Sequence, residues 1–273
     1  MFLAAALLAS LQIVHTPPAS STATPLVHQS RLFALPDGAV GYVPASAGPH
    51  PALLVLLHGA GHRQLEMVQH FEAEADRHGI VLLAPDSQGI TWDAVERAEG
   101  PPEVDSPLAG KLAHRFGRSR DSDRVETAVA NLAKIVPIDR TRTVLAGFSD
   151  GATFALAMGL SRDYDFSAVI AWSPGIAIRT EDPARGRKVF VSHGYSDPLL
   201  KFAVTCADIV PLLKTEGADV TFLAFDGGHD APPDMKDAFL DAAFGPVPGQ
   251  PAHPLPSEMP ACGGSASREV PVH

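Results

Sequence analysis

Cysteine is nearly missing: the 273 residues include two, Cys206 and Cys262. A scaffold knitted together by many disulfides is therefore excluded, and the pair allows a single connectivity. In an oxidising compartment it would staple the C-terminal tail to the body, and in a reducing one it would be two inert thiols. Basic residues are also scarce, 21 against 31 acidic ones, which leaves a formal charge of −10. That balance argues against nucleic acid or an anionic membrane surface as a partner. The one long apolar run, at the N-terminus, is too short to span a bilayer. No pair of His or Cys has zinc spacing, so no metal or other cofactor is implied.

Hydrophobic residues make up 45% of the chain and charged ones 19%, enough for one large core and consistent with a single α/β domain. Residues 2–11 are almost wholly apolar, and 16–24 are small and polar with two prolines. This resembles a secretory h-region and its cleavage zone, although no Lys or Arg precedes it. Residues 1–29 are accordingly read as a signal peptide and extension, with export to a periplasm or medium expected. Without that signal the protein would be cytoplasmic. The domain is placed at 30–244. From Gly245 onward seven prolines stand among small and polar residues, so 245–273 reads as a disordered tail. No internal repeat is evident.

Within the domain, 31–35 and 39–44 flank the turn Pro36-Asp37-Gly38 and read as an antiparallel hairpin. Residues 52–57 are continuously apolar, which suits a parallel strand covered on both faces. The spacing of Met67, Val68, Phe71 and Ala75 predicts a helix over 64–78 closed by Gly79, and 80–84 is the next strand. Strand, helix, strand implies right-handed crossovers and a mostly parallel sheet. From 85 to 119 the periodicity fails; a loop of this length either roofs a site or is a passive insertion. Residues 121–134 read as a helix capped by Asp121 or Ser122. Strands follow at 143–148, 168–172, 188–192 and 220–225, with helices over 199–215, kinked or divided by Pro211, and 233–243.

One stretch carries chemistry. Gly147-Phe148-Ser149-Asp150-Gly151 joins a β-prone run to an apolar helix, so the serine sits on a tight elbow. Such a turn exposes the hydroxyl to a general base, while the Asp150 amide points at a developing oxyanion from the positive end of the helix. Glycine two residues before and after the serine relieves the crowding. A base and an orienting carboxylate should then follow later strands. Asp197 lies just past the 188–192 strand, and His229 follows the last strand among glycines. His58 and His193 fall at strand ends where imidazole supports a loop, His62 is placed to line a pocket, and His70, His78 and His114 read as surface residues. The Asp150 side chain faces the wrong way to orient a base.

Taken together, His58-Gly59-Ala60-Gly61, Gly147-Phe148-Ser149-Asp150-Gly151, His193-Gly194-Tyr195-Ser196-Asp197-Pro198 and Gly228-His229 resemble the α/β-hydrolase superfamily. They are nearest its phospholipase/carboxylesterase group with the acyl-protein thioesterases, and also similar to polyhydroxybutyrate-depolymerase-like and feruloyl esterases. The resemblance covers about residues 30 to 243. It implies an α/β-hydrolase fold with helices on both faces of the sheet and a serine esterase that cleaves small-molecule esters or thioesters. In that group Ser149 is the nucleophile, His229 the base and then the acid, Asp197 the orienting carboxylate, and the amides of Ala60 and Asp150 the oxyanion hole. The chain departs from the group at Ala152, where a second glycine is common, and at Asp150, whose charge would disfavour anionic substrates. An amidase or peptidase on the same triad and a non-enzymatic binding protein with a retained fold are the alternatives.

Overall fold

The computed structural model describes residues 29–99 and 115–255. The expected signal peptide, the core of the expected roof at 100–114 and Cys262 lie outside the described residues.

The chain opens with β1 (Arg31–Ala34), β2 (Val40–Val43) and β3 (Leu53–Leu57), followed by α1 (Gln64–Gln69), α2 (Glu72–His78) and β4 (Val81–Ala84). Next come α3 (Asp93–Glu99), β5 (Arg115–Phe116), α4 (Arg120–Ala133), β6 (Thr143–Phe148), α5 (Asp150–Leu160), β7 (Ala168–Trp172) and β8 (Arg179–Thr180). The last third holds β9 (Lys188–Gly194), α6 (Phe202–Val204), α7 (Val210–Thr215), β10 (Asp219–Phe225) and α8 (Pro233–Phe244). Eight strands form one sheet in the order β1-β2-β4-β3-β6-β7-β9-β10. The hairpin pairs antiparallel with itself and with β4, and every other pairing in this sheet is parallel. The α/β-hydrolase fold expected from the motifs is thus present.

The apolar runs explain the layers. Along β3, Leu53, Val55 and Leu57 enter a cluster with Phe154, Leu156 and Leu132, while Leu54 and Leu56 enter a second one with Val68, Phe71 and Phe239. Both faces of the strand are dry, so no polar residue is tolerated within it. Helices α4 and α5 cover the first face, and α1, α2 and α8 the second. Helix α5 is buried from Gly151 to Leu160, as its nearly uniform apolar composition requires.

Several boundaries differ from the sequence reading. The single helix expected over 64–78 breaks at His70 and Phe71, because Phe71 turns inward to meet Trp172 at a ring distance of 5.1 Å. The aperiodic stretch contains the seven-residue α3, too short to establish a period. The cap of α4 is Ser119, in a reciprocal box with Ser122, rather than Asp121 or Ser122. Asp121 is instead buried, accepting from the amides of Gln88 (3.1 Å) and Asp93 (2.8 Å), and burial lifts its carboxyl above the usual range. The helix expected over 199–215 is divided, as anticipated, by a π-helical turn over Thr205–Ile209 just before Pro211, which has no N–H to continue the ladder. Of the Pro-rich stretch, residues 245–255 are described: His253 bonds Asp241 through its amide and its ring, both at 2.8 Å.

Candidate active site

The C-terminal ends of β3, β6, β7, β9 and β10 converge, as parallel pairing demands. At the end of β6 the backbone of Ser149 takes φ 57° and ψ −121°, a left-handed conformation unusual for a non-glycine residue. The flanking glycines are forced by contact: a methyl on Gly147 would lie 2.1 Å from the carbonyl oxygen of Gly151, and one on Gly151 would lie 2.2 Å from that of Leu57. No larger residue fits either place, so the elbow is fixed by its neighbours. The Asp150 amide begins α5 beside the serine.

The loop after β3 lies directly against this elbow; a methyl on Gly59 would approach Cβ of Ser149 to 3.1 Å. His58 pins that loop. Its Nε2 accepts from the Ser87 amide at 3.1 Å, so its proton is on Nδ1, which lies 2.9 Å from the Gly59 carbonyl. Trp92 donates to the His58 carbonyl at 2.8 Å, and the Gly61 amide donates to Ile90 at 2.8 Å. The amide of Ala60 is carried between these anchors. Thr91 donates to the Asp150 carboxylate at 2.6 Å, which occupies that side chain away from the histidine loop.

Asp197 and His229 come together. Nδ1 of His229 donates to Oδ2 of Asp197 at 2.7 Å, leaving the Nε2 lone pair of His229 free. Oδ1 of Asp197 accepts from the amides of Leu199 (2.8 Å) and Leu200 (2.9 Å). Burial alone would raise this carboxyl, but the Leu200 amide, the His229 ring and the Leu199 amide outweigh it and hold the group below the usual carboxylate range. The two loops are zipped by Tyr195 N–H to Phe225 O and Ser196 N–H to Gly227 O, each at 3.0 Å. The ring of His229 rests on Phe148, the residue before Ser149, at 4.7 Å between centroids. Ser149 Oγ itself makes no hydrogen bond to His229 among the described residues.

Sequence reasoning missed several supporting groups. Ser173, buried at the end of β7 with φ 52°, donates to the carbonyl of Asp230 at 3.1 Å and so holds the loop that carries His229. A non-glycine residue with positive φ leaves no mark in the sequence. His78, read as a surface residue, has a side chain only 3% exposed and lies 3.7 Å from Asp241, because α8 folds over it. Burial pulls its ring below the ordinary imidazole range. His62 does line a cavity of about 140 Å³, together with Met67, Phe71, Phe148 and Ala231. A larger cavity, about 530 Å³, sits at the opposite end of the sheet beside Thr143, the first residue of β6, so volume does not mark the site. Among the described residues no group of three or more His, Cys, Asp or Glu is arranged to hold a metal ion, and no helix is long and apolar enough to cross a membrane.

Comparison with known proteins bears on the same segment. The family described as Phospholipase/Carboxylesterase matches residues 40–240. Acyl-protein thioesterase 1 of Neurospora crassa is 24% identical over 217 residues, 73% of this chain and 88% of that protein. The Aspergillus flavus protein named "Probable feruloyl esterase C" is 25% identical over 168 residues, 52% of this chain and 62% of its own length. Among solved structures, an S-formylglutathione hydrolase from Agrobacterium tumefaciens superposes with a TM-score of 0.51 at 15% identity, covering 74% of this chain and 87% of that one. At that identity the likeness extends to the fold.

Proposed function

The chain belongs to the phospholipase/carboxylesterase family of α/β hydrolases, and from that premise we propose that it cleaves carboxylic esters or thioesters through an acyl-serine intermediate. Residues 30–244 are taken as the catalytic domain. The observation that carries this reading is the 2.7 Å bond between His229 and Asp197, whose imidazole rests on the residue next to the strained Ser149.

Ser149 Oγ attacks the acyl carbon as its proton passes to Nε2 of His229, and the carbonyl oxygen becomes an oxyanion received by the amides of Ala60 and Asp150. The bond to the leaving oxygen or sulfur breaks, and His229 returns the proton to it. Water then attacks the acyl-serine, gives a proton to His229, and the Oγ–C bond breaks with proton return to Ser149. Asp197 keeps the imidazole in the tautomer that leaves Nε2 bare and stabilises its charged form. The open Ser149–His229 contact is ordinary for a resting site, where such bonds tighten with substrate bound.

The test is labelling by a fluorophosphonate probe combined with a series of acyl esters from acetate upward. Labelling of the wild type that disappears in Ser149→Ala, with turnover of at least the short esters, is expected. A protein that is neither labelled at Ser149 nor active on any ester of the series would overturn the reading.

A further inference from the structure

Asp197 serves two histidines. Besides His229, the buried His193 reaches the same oxygen: its Nε2 lies 3.1 Å from Oδ2 of Asp197 and 2.9 Å from the carbonyl of Leu200. Both are pure acceptors, so Nε2 of His193 carries a proton. On the other edge of the ring, Nδ1 lies 2.8 Å from Oγ1 of Thr205, which is also 3.0 Å from the carbonyl of Pro174. A hydroxyl has one proton to give. With Nε2 protonated and the ring neutral, Nδ1 is an acceptor facing that hydroxyl, whose other neighbour is the Pro174 carbonyl. Burial, acting against the Leu200 carbonyl and the Asp197 charge, holds His193 below the ordinary imidazole range, in keeping with a neutral ring.

The carboxylate is therefore surrounded by donors: two amides on Oδ1, the His229 N–H on Oδ2, and, 3.1 Å from that same oxygen, the His193 Nε2–H that it shares with the Leu200 carbonyl. We propose that His193, its ring anchored by the Leu200 carbonyl and Thr205, is a positioning residue that fixes the rotamer of Asp197 and limits how much of its charge is left for His229. The proposal rests on the Ser149–His229–Asp197 reading and adds a fourth side chain to it. A charge already shared with one donor stabilises a second donor's cation less. Removing the His193 donor therefore makes the protonated state of His229 easier to reach, and the acid limb of activity moves to higher pH. The titratable groups facing His193 are Asp197 and His229. Its other surroundings are Thr205, the Pro174 and Leu200 carbonyls and the edge of Phe202, 6.0 Å away between ring centroids. Around His229 the groups are Asp197, His193 and the adjacent Asp230, whose Oδ1 is taken up by the Ala231 amide at 2.7 Å.

The experiment is the pH profile of kcat/KM for a short ester, with fluorophosphonate labelling run on every variant. His193→Leu keeps bulk and removes the donor; it is expected to lose about tenfold in kcat/KM at neutral pH, the equivalent of one charge-assisted hydrogen bond, and to shift the acid limb up by roughly half a unit. His193→Gln, which places an amide N–H near Nε2, returns the limb toward its wild-type position. Should His193→Leu fail to fold, Thr205→Val leaves the ring and its Nε2 proton in place but removes the hydroxyl that anchors the far edge of the ring. It is expected to shift the limb in the same direction, and Thr205→Ser brings it back. An unmoved limb in the soluble donor or anchor variant, with only thermal stability lowered, reduces His193 to a loop support and overturns the proposal. That result is distinct from absent labelling of wild-type Ser149, which would overturn the triad itself.

Discussion

A single methyl group at position 194 tests whether the proposed acid and base, Asp197 and His229, ride on loops that must touch. In Gly194→Ala the new Cβ would lie 2.3 Å from the carbonyl oxygen of Gly228 and 2.4 Å from that of Gly227, whereas ordinary contact begins at 3.4 Å. The loop after β10 must therefore retreat by about 1 Å. On the acid side Asp197 is held by the amides of Leu199 and Leu200, so it does not follow, and the displacement falls on its 2.7 Å bond to His229. Misplacing a catalytic group by about 1 Å costs on the order of 10²-fold in rate. Overpacking of this kind costs about 1–3 kcal/mol, which in a domain of this size lowers Tm by several degrees. The assay is turnover of a short acyl ester per active site, titrated with a fluorophosphonate, beside a thermal melt. Gly48→Ala is the control, since nothing lies within 4 Å of a methyl there and its φ is not positive. Wild-type turnover in a Gly194→Ala protein with a wild-type melt would refute the claim that close passage of the two loops sets the geometry.

Asp197→Asn should lower kcat by on the order of 10³–10⁴-fold, because an amide no longer dictates the tautomer of His229; steady-state kinetics at pH 7 to 8 check this, and a loss under tenfold would contradict it. His78 and His193 are both held neutral by burial, with folded values below the ordinary 6.5. The unfolded chain then takes up protons first, so stability is full above about pH 6.5 and falls as the pH drops through the lowered folded values. Urea midpoints measured from pH 8 to 5 should decline below 6.5, and a flat series would count against buried neutral rings. Ser119→Ala removes the cap of α4 and should cost about 1 kcal/mol by urea denaturation with no effect on kcat.

Legibility in the sequence followed the range of the interactions involved. Strands such as β3 and β6 are buried on both faces and advertise it as apolar runs, so their places along the chain and a mostly parallel sheet could be inferred, while their order within the sheet was not. The Gly-x-Ser-x-Gly elbow was legible because its glycines answer local collisions. Groups whose role depends on distant chain were not. His78 is solvated or buried according to where α8 lies, and Ser173 matters only because Asp230 arrives beside it from 57 residues further on. Ser119 caps α4 where Asp121 or Ser122 was expected, because Asp121 is drawn inward by the amides of Gln88 and Asp93 and Ser122 closes the box from inside the helix. The second imidazole on Asp197 was visible as a residue, and its orientation was not.

Phe148 is shared between two tasks, since the same ring that supports the imidazole of His229 also forms a wall of the 140 Å³ cavity. Anyone wishing to enlarge that cavity for a bulkier ester would be tempted to trim it. Doing so would unseat the proposed base at the moment room is gained, so broader acceptance and slower turnover would arrive together. Met67 and Phe71 border the same space, and the ring contact of Phe71 is with Trp172 rather than with His229, so these are the positions at which size and speed can be adjusted separately.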